Sequence, residues 1–168
     1  LGFNAVRDAL APLDLSVTEP TALLNTTAKS FLNAVGASSG PLYATVFMRA
    51  ASAVKGKATL VDADFIALFQ AMAQGIKDRG KAEPGEKTMV DAWQPAAEAA
   101  AAASVAGRTL AQCLEAALAA AERGAEATKD MIAAKGRSSR LGERSLGHMD
   151  PGAASAVTVI AAIRKSLG

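Results

Sequence analysis

The sequence predicts an all-α protein, an antiparallel bundle or barrel of helices. Three observations carry this. Of 168 residues 51% are hydrophobic but only 4% aromatic, so the core has to be assembled from Ala, Leu, Val and Ile. Alanine, the best helix former, dominates the second half, as in AAEAAAAASVAG (96–107). Apolar residues recur at helical spacing between glycine and proline punctuation, and no stretch reads as a strand. The length suits one domain with its own core, residues 1–168.

The elements follow in order. GFNAVRDAL places Phe3, Val6 and Leu10 on one face and stops at Pro12; it reads as the remainder of a helix that begins upstream. TEPTALLNTTAKSFLNAVG has Pro20 in its first turn, Leu24, Phe31, Leu32 and Val35 on one side, and Gly36 at its end. After GASSGP, LYATVFMRAASAVKG is an apolar helix ending at Gly56. VDADFIALFQAMAQGIKDRG takes Asp62 or Asp64 as its N-cap and Gly80 as its stop, with Phe65, Leu68, Phe69, Met72 and Ile76 as its buried stripe.

KAEPGEKT is a loop by its Pro-Gly pair. A helix from about Met89 to Ala106 contains Pro95, which either kinks it or marks its first turn. RTLAQCLEAALAAAERGAEATKDMIAAKG is one long helix despite Gly124, and DPGAASAVTVIAAIRKSLG is the last. Connections are mostly short, so neighbours run antiparallel. No repeating period supports a solenoid.

Composition excludes several classes. The net charge is only +2, and no Lys/Arg cluster with interleaved aromatics marks a nucleic-acid binder. Cys113 is the only cysteine, which excludes an intrachain disulfide or a Cys-based zinc site and fits a reducing, cytoplasmic compartment. The alanine-rich run is too short and too weakly apolar to span a membrane, and no signal segment opens the chain. No cluster of carboxylates marks a metal site within these residues.

Two places share a design. At SSGP, Ser38 and Ser39 precede Gly40 and Pro41 and a helix follows; at DPGAAS, Asp150 precedes Pro151 and Gly152 and a helix follows. A helix start presents unpaired N–H groups and the positive end of the dipole, which suits phosphate; ordinary capping explains the same residues. GEKTM (85–89) resembles the end of a P-loop, but the preceding glycine and strand that such a loop needs are absent. His148, the only histidine, is read as fixing its glycine-rich loop by hydrogen bonds rather than as a general base. Among Arg137, Arg140 and Arg144, Arg137 is the best phosphate ligand, because it follows a glycine break after a long helix.

GASSGPLY, GKAEPGEKTMVDA and GRSSRLGERSLGHMDPGAAS (136–155) together resemble the nucleotide-binding (L) subunit or domain of dihydroxyacetone kinases, the DhaL family, in order and spacing. The resemblance covers essentially the whole chain, and the third motif is long and specific. It implies an antiparallel helical barrel that binds ADP or ATP between helix-start loops at one end. Ser38 and Ser39, Gly80, Met89, and Asp150, Pro151 and Gly152 then contact the nucleotide, and Arg137 contacts its phosphates. Family members also carry a Gly-Asp-Gly-Asp-His-Gly stretch whose carboxylates hold two magnesium ions. That stretch is expected just before LGFNAV, so the chain is expected to be an N-terminally truncated domain, with no metal ligand assigned in 1–168.

The implied activity is phosphoryl transfer to a short keto-sugar held by a partner K subunit or domain, as in glycerol metabolism. Phosphate comes from exchanging ATP, or from a phosphohistidine protein of the sugar phosphotransferase system that recharges bound ADP. The alternatives are a non-catalytic helical nucleotide-binding module and the L component of a four-carbon keto-sugar kinase.

Overall fold

The computed structural model describes residues 1–36 and 39–167. Among them are seven α-helices, two 3₁₀ segments and no strand, as the composition and periodicity require. The chain forms two compact units, Leu1–Gly80 and Lys81–Gly168. No helix among the described residues is long and apolar enough to cross a membrane.

The first unit contains α1 (Gly2–Leu10), α2 (Pro20–Ala34), α3 (Ser39–Ala53) and α4 (Asp62–Gly80), each packed on the next. Four of the chain's few aromatic rings meet here. Phe31 lies 5.1 Å from Phe3 and 5.3 Å from Tyr43 between ring centroids, and Phe47 joins both Phe3 and Phe31. Leu68, Phe69, Met72 and Ile76 of α4 are buried as their spacing predicts.

Two local expectations need correction. Leu32 is exposed, because it lies about 100° round the helix from Phe31, outside the face made by Thr27, Ala28 and Phe31. Neither Asp62 nor Asp64 is the N-cap of α4, since the helix already begins at Asp62. Asp64 instead reaches back from the third position to accept the Val61 amide at 3.0 Å, while Lys57 holds its other oxygen at 2.6 Å. This is the acidic half of a capping box.

In the second unit α5 (Val90–Val105), α6 (Leu110–Ala127) and α7 (Pro151–Leu167) all pack on one another. Trp93, Leu114 and Ile160 are its largest buried side chains. Around them Ala96, Ala100, Ala117, Ala121, Ala153 and Ala156 are wholly buried, so the alanine that favours helix also lets the helices approach closely. Thr109 and Gln112 form a full capping box at the start of α6.

Pro95 falls in the second turn of α5, not the first. It has no N–H to give to the carbonyl of Asp91 four residues earlier, and Gly124 of α6 fits against that carbonyl. The long sixth helix is shorter than predicted. It ends at Ala127 and continues as a 3₁₀ turn, Thr128–Asp130, before the chain becomes extended at Met131. Thr128 turns its hydroxyl back to the carbonyl of Ala125 at 2.6 Å and is completely buried.

The glycine-rich break at 136–150 contains a 3₁₀ segment, Arg137–Ser145, interrupted at Gly142 with φ of +54°. Gly136 has φ of +67°, and side chains rarely adopt either conformation. The segment is pinned by buried Ser145, whose hydroxyl donates to Gly142 O at 2.7 Å and accepts from Ala133 N at 3.0 Å.

Candidate functional site

The loop before α5 is built around two buried charged residues. Asp91, in the first turn of α5, accepts the Gly85 amide on one carboxylate oxygen at 2.5 Å and the Thr88 amide on the other at 2.7 Å. Lys87, between them, is 3% exposed and has φ of +59°. Its ammonium donates to the carbonyls of Thr128 and His148, each at 2.6 Å. Such buried charges persist only where partners replace the lost water.

The second segment is the start of α7. Asp150 is buried, and its carboxylate accepts the Ala153 amide at 2.8 Å. Its carbonyl accepts the Ala154 amide at 3.0 Å, and its own amide donates to the Thr128 hydroxyl at 2.9 Å. Burial pushes the Asp150 carboxyl above its ordinary range, opposed by the Ala153 and Gly152 amides; Asp91 adds to the rise and Lys87 counters it.

Pro151 has no N–H, and the next amides are turned to Asp150. The start of α7 therefore supplies a shaped surface more than free donors for phosphate. A Cβ at position 152 would stand 2.8 Å from the Asp150 carboxylate and 3.4 Å from the Cβ of Met89. A side chain there would push on the Asp150 cap, so the packing of the turn favours glycine.

Four of the residues implied by resemblance thus meet in one place: Met89 with Asp150, Pro151 and Gly152. Arg137 opens the 3₁₀ segment of the same unit; it is exposed and has no ion-pair partner among the described residues. Ser39 begins α3 and Gly80 ends α4, both in the first unit. Ser38 lies outside the described residues.

Two residues have roles that spacing did not reveal. Lys87 belongs to the GEKTM stretch, whose only local signal was its likeness to a P-loop end; its ammonium serves carbonyls of its own chain instead. His148 ties its loop through its backbone carbonyl, and its exposed imidazole makes no hydrogen bond among the described residues. That corrects the expectation of a side-chain tie.

The residues present do not fit a pair of magnesium ions. Among the described residues no group of three or more His, Cys, Asp or Glu could hold a metal. Both oxygens of Asp91 are committed to amides, and Asp150 caps α7.

Compared with known families, residues 1–165 match the DAK2 domain. The chain belongs to the DAK2 domain family. This DAK2 domain is 44% identical over 157 residues to the ADP-binding subunit DhaL of the PEP-dependent dihydroxyacetone kinase of Escherichia coli (strain K12), covering 92% of this chain and 72% of the relative. It is 37% identical over 168 residues to the corresponding subunit of kinase 1 from Listeria innocua, covering 96% and 78%. It is also 36% identical over 152 residues to triokinase/FMN cyclase of Mus musculus, covering 90% of this chain but 26% of that one.

Among solved structures, the native dihydroxyacetone kinase of C. freundii superposes with a TM-score of 0.69 at 27% identity, over 98% of this chain and 28% of that chain. The same kinase in complex with AMP-PNP and Mg2+ gives 0.66 at 27% identity, over 88% and 23%. The DAK2 domain therefore matches most of a separate subunit in one set of relatives and about a quarter of a longer kinase in the other.

Proposed function

We propose that this DAK2 domain is the ADP- or ATP-binding phosphotransferase component of a dihydroxyacetone-type kinase, a cytoplasmic protein acting with a keto-sugar-binding K subunit or domain. The observation that carries this is the meeting of Met89 with Gly152. It joins the second and third resemblance motifs at one spot, although they lie far apart in the chain. Relatives that are named ADP-binding subunits match across most of their length, which supports the same reading.

The geometry supports a division of labour. Met89, buried beside the Gly152 turn, is assigned with that turn to the base or ribose, since the amides there are already used. Arg137, exposed and without an ion pair among the described residues, is the cation that the resemblance assigns to phosphate, in the bidentate manner open to a guanidinium. Ser38, Ser39 and Gly80 rest on the resemblance alone. Magnesium, when bound, neutralises phosphate charge; no ligand for it is proposed in 1–168. A phosphohistidine protein as phosphate source is the reading that the PEP-dependent relatives favour, with ATP exchange as its rival.

Calorimetric titration of ADP tests the reading, with and without magnesium, into the chain as it stands and into one extended upstream by its own coding sequence. Weak, magnesium-insensitive binding by the first and tighter, magnesium-dependent binding by the second are expected. Absence of ADP binding by both would overturn the nucleotide site. Strong magnesium enhancement in residues 1–168 alone would overturn the placement of the metal ligands.

A further inference from the structure

We propose that Lys87 and Thr128 form a clamp that positions the Asp150–Pro151–Gly152 turn against Met89, so that Lys87 is a positioning residue for the nucleotide site. The inference rests on the nucleotide reading above for its functional consequence, but its geometry stands apart from it. One ammonium, 3% exposed, ties Thr128 O and His148 O at 2.6 Å each, joining positions forty-one and sixty-one residues away. Thr128 adds the second tie, because its wholly buried hydroxyl accepts the Asp150 amide at 2.9 Å and donates to Ala125 O at 2.6 Å. The backbone is therefore held at both 148 and 150, on either side of Met149.

The same lysine fixes the other wall. It lies two residues before Met89, in a loop whose amides at Gly85 and Thr88 are both held by Asp91. Asp150 also feels both groups of that loop, the Asp91 carboxylate raising its carboxyl and the Lys87 ammonium countering the rise. Burying an ammonium is costly, and a neutral side chain cannot both bridge two carbonyls and oppose the charge of Asp150. With Lys87 removed, the buried Thr128 carbonyl and the part-buried His148 carbonyl lose their donor, and Asp150 loses an opposing charge.

The test compares Lys87→Met, Lys87→Arg, Thr128→Val and the Lys87→Met/Thr128→Val double variant in the upstream-extended chain. Two readouts are used. Amide hydrogen exchange at 149–154 reports the order of the turn without any nucleotide. ADP affinity reports the consequence, with the melting temperature recorded alongside.

Expected are faster exchange confined to 85–89 and 149–154, and ADP binding weakened about ten- to a hundredfold, the scale set by losing a charge-assisted hydrogen bond. Lys87→Arg should recover part of the affinity, and the double variant should fall short of the summed single effects, because both residues hold the same turn. A folded Lys87→Met with native protection at 149–154 and unchanged ADP affinity overturns the clamp. If Lys87→Met does not fold, Thr128→Val decides, and native protection at 149–154 in that variant overturns the proposal. Loosened exchange in a chain whose wild type binds no ADP would uphold the clamp and remove the nucleotide reading instead.

Discussion

The carbonyl of Asp91 faces the bare Cα of Gly124, so closely that a Cβ at 124 would overlap it and also stand 3.2 Å from the ring of Pro95. Proline leaves that carbonyl without its usual partner in α5, and glycine lets α6 cover it. Gly124→Ala should destabilise the second unit. Overpacking of this kind costs about 1–3 kcal/mol, offset by roughly 1 kcal/mol of gained helix propensity. Urea denaturation measures the difference. Stability equal to or above wild type would show that α5 and α6 separate at little cost. Because Asp91 also holds the loop ahead of Met89, ADP affinity should fall in the same variant.

Arg137 separates stability from chemistry. Its exposed side chain has no ion-pair partner among the described residues, so Arg137→Ala should leave helicity and melting temperature nearly unchanged. Phosphoryl transfer, assayed with the K partner in the upstream-extended chain, should fall about a thousandfold, as when a guanidinium facing transferring phosphate is lost. Wild-type turnover would return Arg137 to the role of a solvated loop charge.

Asp150 gives the second unit a pH signature. Its carboxyl titrates above the ordinary range because of burial, so its contribution to stability is fully present below the unfolded value near 3.8 and is lost as pH rises through the raised folded value. Asp150→Asn keeps an oxygen to cap α7 and removes the titration. The stability of wild type relative to this variant should therefore rise as the pH is lowered from neutrality toward 4. Thermal melts across that range check it, and a constant difference would mean that Asp150 is not held in its charged form at a cost.

Asp64 runs the opposite way. The Lys57 ammonium, then the Val61 amide, hold its carboxyl below the ordinary range. What Asp64 adds to α4 is present above the ordinary carboxylate value and disappears as pH falls through the lowered one. Asp64→Asn should accordingly lower the melting temperature near neutrality and approach wild type in strong acid. A deficit that persists unchanged into acid would assign the effect to the lost cap rather than to the charge.

The helices were legible because their signals are local. Pro20 and Pro151 mark starts, Asp150 marks a cap, alanine fixes the class, and Phe69, Met72 and Ile76 recur at the period of one helical face; each acts within a few residues of itself. The break at 136–150 was equally plain from its glycines, and the three motifs were specific enough to identify a family whose site residues could be carried across. What the sequence did not determine is where long-range partners override local preference. Helix propensity runs on through ATKDMIAAK, yet α6 stops at Ala127, because Thr128 is drawn to the Asp150 amide and its carbonyl to Lys87. Pro95 and Gly124 each read as faults in a helix until the fold sets one against the carbonyl that the other leaves free. Lys87 showed only a likeness to the end of a P-loop, because periodicity senses neighbours four residues away, whereas its carbonyl on His148 lies sixty-one residues along the chain. Only the folded chain brings those charges out of water together, and burial then decides which of them can be kept.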